Sequence, residues 1–354
     1  MARQNGRAGP ASDSIRLPAS NALIRDLNPS QARTHSLASL PRKVSRAQFA
    51  QPIAADATLR AFLASLPEVL AARDLLQLAH CIGAARRAGR LCLLMMGAHP
   101  LKVGLGPLIC DLIRGGVFNA LATNGAAMIH DFELAFAGRT SEEVGAGLAD
   151  GSFGMAEETG SFLNNAAKTA AQEARGLGEV VGREIAHRRF KFAGDSIFAC
   201  AHQAGIPATV HVTLGADIIH MHPSADGAAI GAATMADFHR MVSVVGGLSR
   251  GVVMNFGSAV VMPEVFLKAL NLARNLGRSV TAFSAADMDF IRHYRPRLNV
   301  VERPTREGGR GFTLIGHHEI MFPLLAAAIR IELDGHPRSR STVAGQQKPS
   351  RAQH

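Results

Sequence analysis

Aromatic residues are the first shortage. The sequence has no Trp and one Tyr, and aromatics make up 5% of it. A basic face interleaved with aromatic side chains, as a nucleic-acid groove requires, is therefore not to be found. Cysteine is scarce too. Cys81, Cys92, Cys110 and Cys200 sit singly in apolar surroundings without CxxC spacing, which argues against a disulfide scaffold or a cysteine-built zinc site. No apolar run approaches the roughly 18 residues of a membrane span. The N-terminus has Arg and Ser but no apolar core of a secretory signal. The expectation is a cytoplasmic protein with neither nucleic acid nor membrane as partner.

Acids are scarce at both ends. Residues 1–50 hold eight Lys or Arg against Asp13 and Asp26, a net +6, and residues 335–354 hold Arg338, Arg340, Lys348 and Arg351 with no acid. The total of +10 therefore resides in Ser-, Arg- and Gln-rich ends, and 51–334 is near neutral. The expected organisation is a disordered basic tail over 1–50, one domain over 51–334 and a second disordered basic tail over 335–354.

What is present is regular. Hydrophobic residues are 47% of the chain, enough for a large core. "RLCLLMMG", "VFNALAT", "IPATVHVTLG", "GVVMNFG", "RSVTAFSA" and "GFTLIG" read as buried strands. Segments of helical spacing such as "GPLICDLIRGG", "PEVFLKALNLARNLG" and "EIMFPLLAAAIRIEL" alternate with them. Unbroken apolar strands alternating with helices predict an α/β fold, a doubly wound Rossmann-like parallel sheet with helices on both faces. There is no GxGxxG; Gly104 and Gly106 make only a GxG.

Ligands of such sheets bind beyond the carboxyl ends of the strands. The residues expected there are Gly97-Ala98-His99, Thr123-Asn124-Gly125, Gly215-Ala216-Asp217, Gly257-Ser258-Ala259, Ser284-Ala285-Ala286-Asp287 and Gly316-His317-His318-Glu319. Small residues let a ligand approach the backbone, although strand-to-helix turns need glycine for geometry alone. Histidines accompany acids in "IHDFE", "DIIHMHP" and "GHHEI". One reading is a metal site built on His220 and His222, two apart on a strand, with His130, Asp131 or His317. The other is hydrogen bonding or proton transfer to a substrate. Asp131, Asp217, Glu264 and Asp289 fall at or beyond strand ends, where clustered acids suit a cationic amine and helix-start acids suit the dipole. "ADGSFGMAEETG" reads as a closing loop or a helix cap.

In this order the segments resemble the deoxyhypusine synthase family. "MMGAHPLKVGLGPLICDLI" is similar to that family's strand, Ser-Gly turn and helix, and "VFNALATNGAAMIHDFE" to its "VDVLVTTAGGxEED" region. "GDSIFACAHQAGIPATVHVTLGADIIHMH" resembles its Ser-initiated helix, "IP" strand and "LGDM" acid. "GVVMNFGSAVVMPEVFLKALNLARN" stands where the family has a triple-Gly turn, "SVTAFSAADMD" resembles "AVYINTAQEFD", and "FTLIGHHEIMFPLLAA" resembles "VYADAxLVFPLL". The likeness runs over about residues 75–330. It implies a Rossmann-like NAD-binding fold and a homotetramer with sites at subunit interfaces. It implies NAD contacts from Gly104, Gly106, Thr123, Asn124, Gly125, Gly257, Ser258, Ser284, Ala285 and Asp289. Asp217 falls on an acid that contacts the polyamine.

The departures are chemical. The family's imine-forming lysine lies in a "WGK" stretch, which here reads "VVERPTREGGRG" with no Lys. Only a primary amine forms that Schiff base, and Arg303, Arg306 or Arg310 cannot replace it. The family's "KHH" is replaced near Met262-Pro263-Glu264, and its closing acid is His317. "TNGAAMIHDFE" also resembles "GNALAVHDIE" of an ornithine-cyclodeaminase-type family. The expectation is an NAD-dependent transferase or lyase acting on a small amine or amino acid through transient C–N oxidation, not hypusine formation. Asp217 and Glu264 would hold the ammonium, and His317, or His130 with Asp131, would move protons. The alternatives are a non-catalytic NAD- or small-ligand-binding protein and a metal-assisted hydrolase using the His pairs.

Overall fold

The computed structural model describes residues 27–335. The outer parts of both expected tails, 1–26 and 336–354, lie outside the described residues. The chain divides into two units, one up to residue 45 and one from residue 46. In the first, 27–45 carry two exposed 3-10 turns, Pro29–Gln31 and Leu37–Ser39, capped by Asn28 and Ser36. Residues 46–50 go with the second unit, where Gln48 O accepts from Glu68 N at 3.0 Å.

The second unit runs α1 (Leu59–Ser65), α2 (Leu70–Arg87), β1 (Cys92–Met96), α3 (His99–Lys102), α4 (Gly106–Arg114), β2 (Ala120–Asn124) and α5 (Gly125–Ala137). Then come α6 (Val144–Asp150), α7 (Glu157–Gln172), α8 (Leu177–Arg188), α9 (Ile197–Gln203), β3 (Ala208–His211) and α10 (Gly227–Gly246). It closes with β4 (Val252–Phe256), α11 (Val261–Asn275), β5 (Ser284–Asp289), α12 (Tyr294–Pro296), a π-turned segment (Arg297–Glu302), β6 (Arg310–Ile315) and α13 (His318–Asp334). No described helix is long and apolar enough to cross a membrane.

The six strands form one all-parallel sheet in the order β3-β2-β1-β4-β5-β6. This is the doubly wound Rossmann-like α/β fold, with the strand order reversing between β1 and β4. Because strand side chains alternate between faces, two cores result. One face carries Leu94, Met96, Leu121, Val210, Met254, Phe256 and Met288 against Leu78, Ile109, Phe132, Phe198 and Phe322 of the helices. The other carries Leu93, Met95, Ala122, Val253 and Ala285 against Met241, Phe266, Leu270 and Val300. Each fully buried Leu or Phe contributes about 1.5–3 kcal/mol.

The margin of the sheet at β3 is covered by α10. Asp237 Oδ2 accepts from Val210 N at 2.9 Å and from Gly178 N, in the first turn of α8, at 3.0 Å. Thr234 Oγ1 accepts from Val212 N at 3.2 Å and donates to Val210 O at 3.0 Å.

Two expectations fail here. The strand expected over 278–285 is displaced: β5 is Ser284–Asp289, and Val280 and Phe283 pack as loop residues in the second core. His220 and His222 are not on a strand, because β3 ends at His211 and a 3-10 turn, Ile218–Met221, follows.

Candidate active site

The turns after β1 and β4 meet where the strand order reverses. A Cβ on Gly97 would lie 2.2 Å from Gly257 O. Gly257 itself has φ +63°, and a Cβ there would lie 2.6 Å from Cε1 of His318. Both glycines are thus required by close approach of protein groups.

His318, the first residue of α13, is 0% exposed. Its ring meets those of Phe256 at 4.8 Å, His99 at 5.0 Å and Phe290 at 5.7 Å. Its Nε2 lies 3.4 Å from Asp289 Oδ1. That oxygen accepts from Phe290 N at 2.8 Å, and the other carboxylate oxygen lies 3.8 Å from His293 Nε2. One step deeper, Asn255 and Asp287 are register partners on β4 and β5. Asn255 Nδ2 donates to Asp287 Oδ1 at 2.8 Å and to Ser258 O at 2.9 Å. Burial, reinforced by the neighbouring Asp289 charge, pushes the Asp287 carboxyl up to about 7 against the pull of Asn255 and His318. Burial, then the charges of His318 and Lys102, lower His99. Of seven buried side-chain N or O atoms without a partner among the described residues, four are here: Asn255 Oδ1, Asp287 Oδ2 and both ring nitrogens of His318. Orphaned buried polar atoms cost free energy, and their concentration in one place fits a site completed by a bound polar group.

A second polar group stands beyond β2 and β3. Asn124 caps α5, accepting from Ala127 N at 3.0 Å, and the buried Thr123 donates to Asn124 O at 3.0 Å. The Asp217 carboxylate lies against Gly125 and accepts from Thr213 N at 3.1 Å. Burial raises its carboxyl above the usual range. His220 Nδ1 accepts from Gly215 N at 3.2 Å. Ser258 Oγ accepts from Met262 N at 3.2 Å, in the first turn of α11. Thr123, Asn124, Gly125, Asp217, Gly257, Ser258 and Asp289 therefore all occupy the carboxyl end of the sheet.

Other expected residues are elsewhere. Ser284 and Ala285 open β5 opposite Val252 and Val253, at the amino end of the sheet. Gly104 (φ +80°) faces open space in the turn between α3 and α4, whereas a Cβ on Gly106 would meet Asp195 O at 3.1 Å. Asp131 is buried and starts α9: Ser196 Oγ donates to its Oδ2 at 2.5 Å and Ile197 N to its Oδ1 at 2.8 Å. Burial pushes it up to about 7. His130 Nδ1 lies 2.6 Å from Thr140 Oγ1, which also donates to Glu133. Thr140 is thereby held on α5 and does not cap α6. Glu264 accepts from Asn299 Nδ2 at 2.8 Å and pairs with Arg295 and Lys268 on the outer face of α11. His317 is the cap residue before α13, 75% exposed, with Glu319 at 3.9 Å. Its neighbour His318 is the buried one; adjacent histidines are indistinguishable in sequence until the start of the helix is known. No group of three or more His, Cys, Asp or Glu side chains is placed to hold a metal among the described residues.

A cavity of about 1110 Å³ opens at the other end of the molecule, beside Pro207 and Ala208 at the start of β3. Its buried acid, Asp237, is already committed to backbone N–H groups of β3 and α8. It is larger than the cavity of about 250 Å³ lined by residues of α1, α2 and α13. The unpartnered polar atoms choose the carboxyl end.

No protein-family model matches the chain, and no curated protein matches it. Solved structures do. The ternary complex of AgrE with ornithine and NAD+ aligns at 15% identity and TM-score 0.49, covering 75% of this chain and 34% of that chain. A conserved protein classed as LOR/SDH from Methanococcus maripaludis S2 aligns at 14% identity and TM-score 0.49, covering 75% and 72%. A protein classed as a deoxyhypusine synthase from Entamoeba histolytica aligns at 11% identity and TM-score 0.44, covering 77% and 93%. The chain spans about a third of the length of the AgrE chain it matches.

Proposed function

We propose that this chain is an NAD-dependent enzyme that acts on a small amine or amino acid through transient oxidation of a C–N bond. One observation carries the reading: Asp287, Asp289, Asn255 and His318 form a buried, incompletely paired polar cluster at the carboxyl end of the sheet, beside the point where the strand order reverses. In doubly wound sheets that point is where a dinucleotide lies. The order of segments shared with the deoxyhypusine synthase family supports the same cofactor.

The residues present fit NAD in part. Thr123, Asn124 and Gly125 at the start of α5 and Gly257 and Ser258 before α11 would hold it, with backbone N–H groups and small side chains at two helix starts. Ser284 and Ala285, at the far end of β5, would not. When bound, NAD supplies a hydride acceptor for the carbon that carries the nitrogen. Asp217 and Asp287, whose Oδ2 is buried without a partner, are the acids available to an ammonium group at this end. Asp131 and Glu264 are engaged in helix and surface contacts and take no such part. The homotetramer implied by the resemblance belongs to the same proposal.

The test is a mass-spectrometric inventory of small molecules that co-purify with the chain, with thermal shift on added NAD. Bound NAD, or a rise in midpoint on its addition, is expected. Absence of both, in a folded sample, would overturn the reading.

A further inference from the structure

Resting on that reading, we propose that His318, Asp289 and His293 form a proton relay leading from the buried end of the site to solvent, with His318 Nδ1 as its inner terminus. The three groups are graded in burial. The His318 side chain is 0% exposed, that of Asp289 4% and that of His293 34%. The carboxylate lies between the two imidazoles, Oδ1 at 3.4 Å from His318 Nε2 and Oδ2 at 3.8 Å from His293 Nε2; neither contact is a hydrogen bond as it stands, so the relay requires both rings to close onto the carboxylate when the site is filled. The Phe290 N–H at 2.8 Å fixes the carboxylate. With Nε2 turned to Asp289, the favoured neutral tautomer carries its proton on Nε2, leaving the Nδ1 lone pair free. That atom is buried without a partner and faces Gly257, at the reversal of strand order.

Oxidation at a C–N carbon starts from the free amine, whereas the substrate arrives as an ammonium ion. One N–H bond must therefore break, its electron pair staying on nitrogen, and one N–H bond must form on a base. No oxidant is consumed in this step. His318 Nδ1 takes the proton, Nε2 passes its own to Asp289, and Asp289 passes one to His293 and water. Also beside this cluster are His99 of α3, which interacts electrostatically with His318, Asp289, Lys102 and Glu319, and Asp287 of β5, which interacts with Asp289, His318 and Arg292.

The test reads the histidines directly. Imidazole 15N resonances of the full chain would be followed from pH 5 to 9 in wild type, Asp289→Asn and His293→Gln; the last replaces a partly exposed side chain and should fold. Coupled titration of His318 and His293 is expected in wild type, with loss of coupling in both variants. A His318 titration curve identical in all three proteins overturns the relay. On a turned-over amine, His318→Gln should lower kcat by about 10²–10⁴-fold and flatten its pH profile. NAD binding measured on the same samples separates the two ideas: bound NAD with uncoupled histidines sinks the relay alone, and coupled histidines without NAD sink the functional reading alone.

Discussion

Asp217 folds its carboxylate onto the Cα of Gly125, so that a Cβ at 125 would lie 2.1 Å from Oδ2. The glycine that opens α5 makes room for an acid from beyond β3. Gly125→Ala should displace that acid and cost about 1–3 kcal/mol, as overpacking does. In an Asp217→Ala background the same change should cost much less, because the clashing group is gone. Urea denaturation of the four proteins checks this. Equal costs in both backgrounds would mean that the contact is not what requires glycine.

Asp237 gives a pH dependence of definite sign. Burial foremost, opposed by N–H groups of Gly178, Val210 and Leu177, pushes its carboxyl from 3.8 to about 7. Between those values the folded chain keeps a proton that the unfolded chain has lost. Its contribution to stability therefore declines as pH rises from about 4 to about 7 and is flat above. Asp237→Asn keeps an acceptor for the backbone and does not titrate. Its deficit relative to wild type should be smaller at pH 8 than at pH 5 by roughly 1–4 kcal/mol. A deficit independent of pH in denaturation experiments would contradict the raised carboxyl.

Gly257→Ala should hurt twice. The residue has φ +63°, and the new methyl would lie 2.6 Å from His318 Cε1 and 3.2 Å from Pro100 Cδ. Left-handed backbone alone costs an L-residue about 1 kcal/mol. The added methyl forces His318 to move. A lowered melting midpoint together with a changed His318 15N shift is expected; a lowered midpoint with an unchanged imidazole would assign the loss to the backbone alone.

The strands β1, β2, β4 and β6 were readable because each is an apolar run ended by small residues, and β3, Ala208–His211, was readable in place though shorter than the 206–215 run that suggested it. β5 was not, and the reason is chemical. Its sequence, "SAADMD", places Asp287 and Asp289 on a strand whose last five residues are buried, which is the opposite of what a core strand usually shows. The apolar "VTAF" before it attracted the assignment instead. The same acids carry the site, so the residues that hid the strand are those that mark its use. One misplaced strand sent Ser284 and Ala285 to the wrong end of the sheet and made Asp287 look like a turn residue. Asp131 and Glu264 misled in another way. Their positions after strands suited a ligand, but packing gave one to the start of α9 and the other to Arg295, Lys268 and Asn299. Sequence spacing carries no record of those partners.

A single carboxyl group on α10 ties the outermost strand to the first turn of α8. Strand margin and helix start consequently share one fastening, and loosening either frees both. While Asp237 and Thr234 hold, no second chain can add a strand at β3; when they let go, the amide hydrogens of Gly178 and Val210 should become exchangeable together.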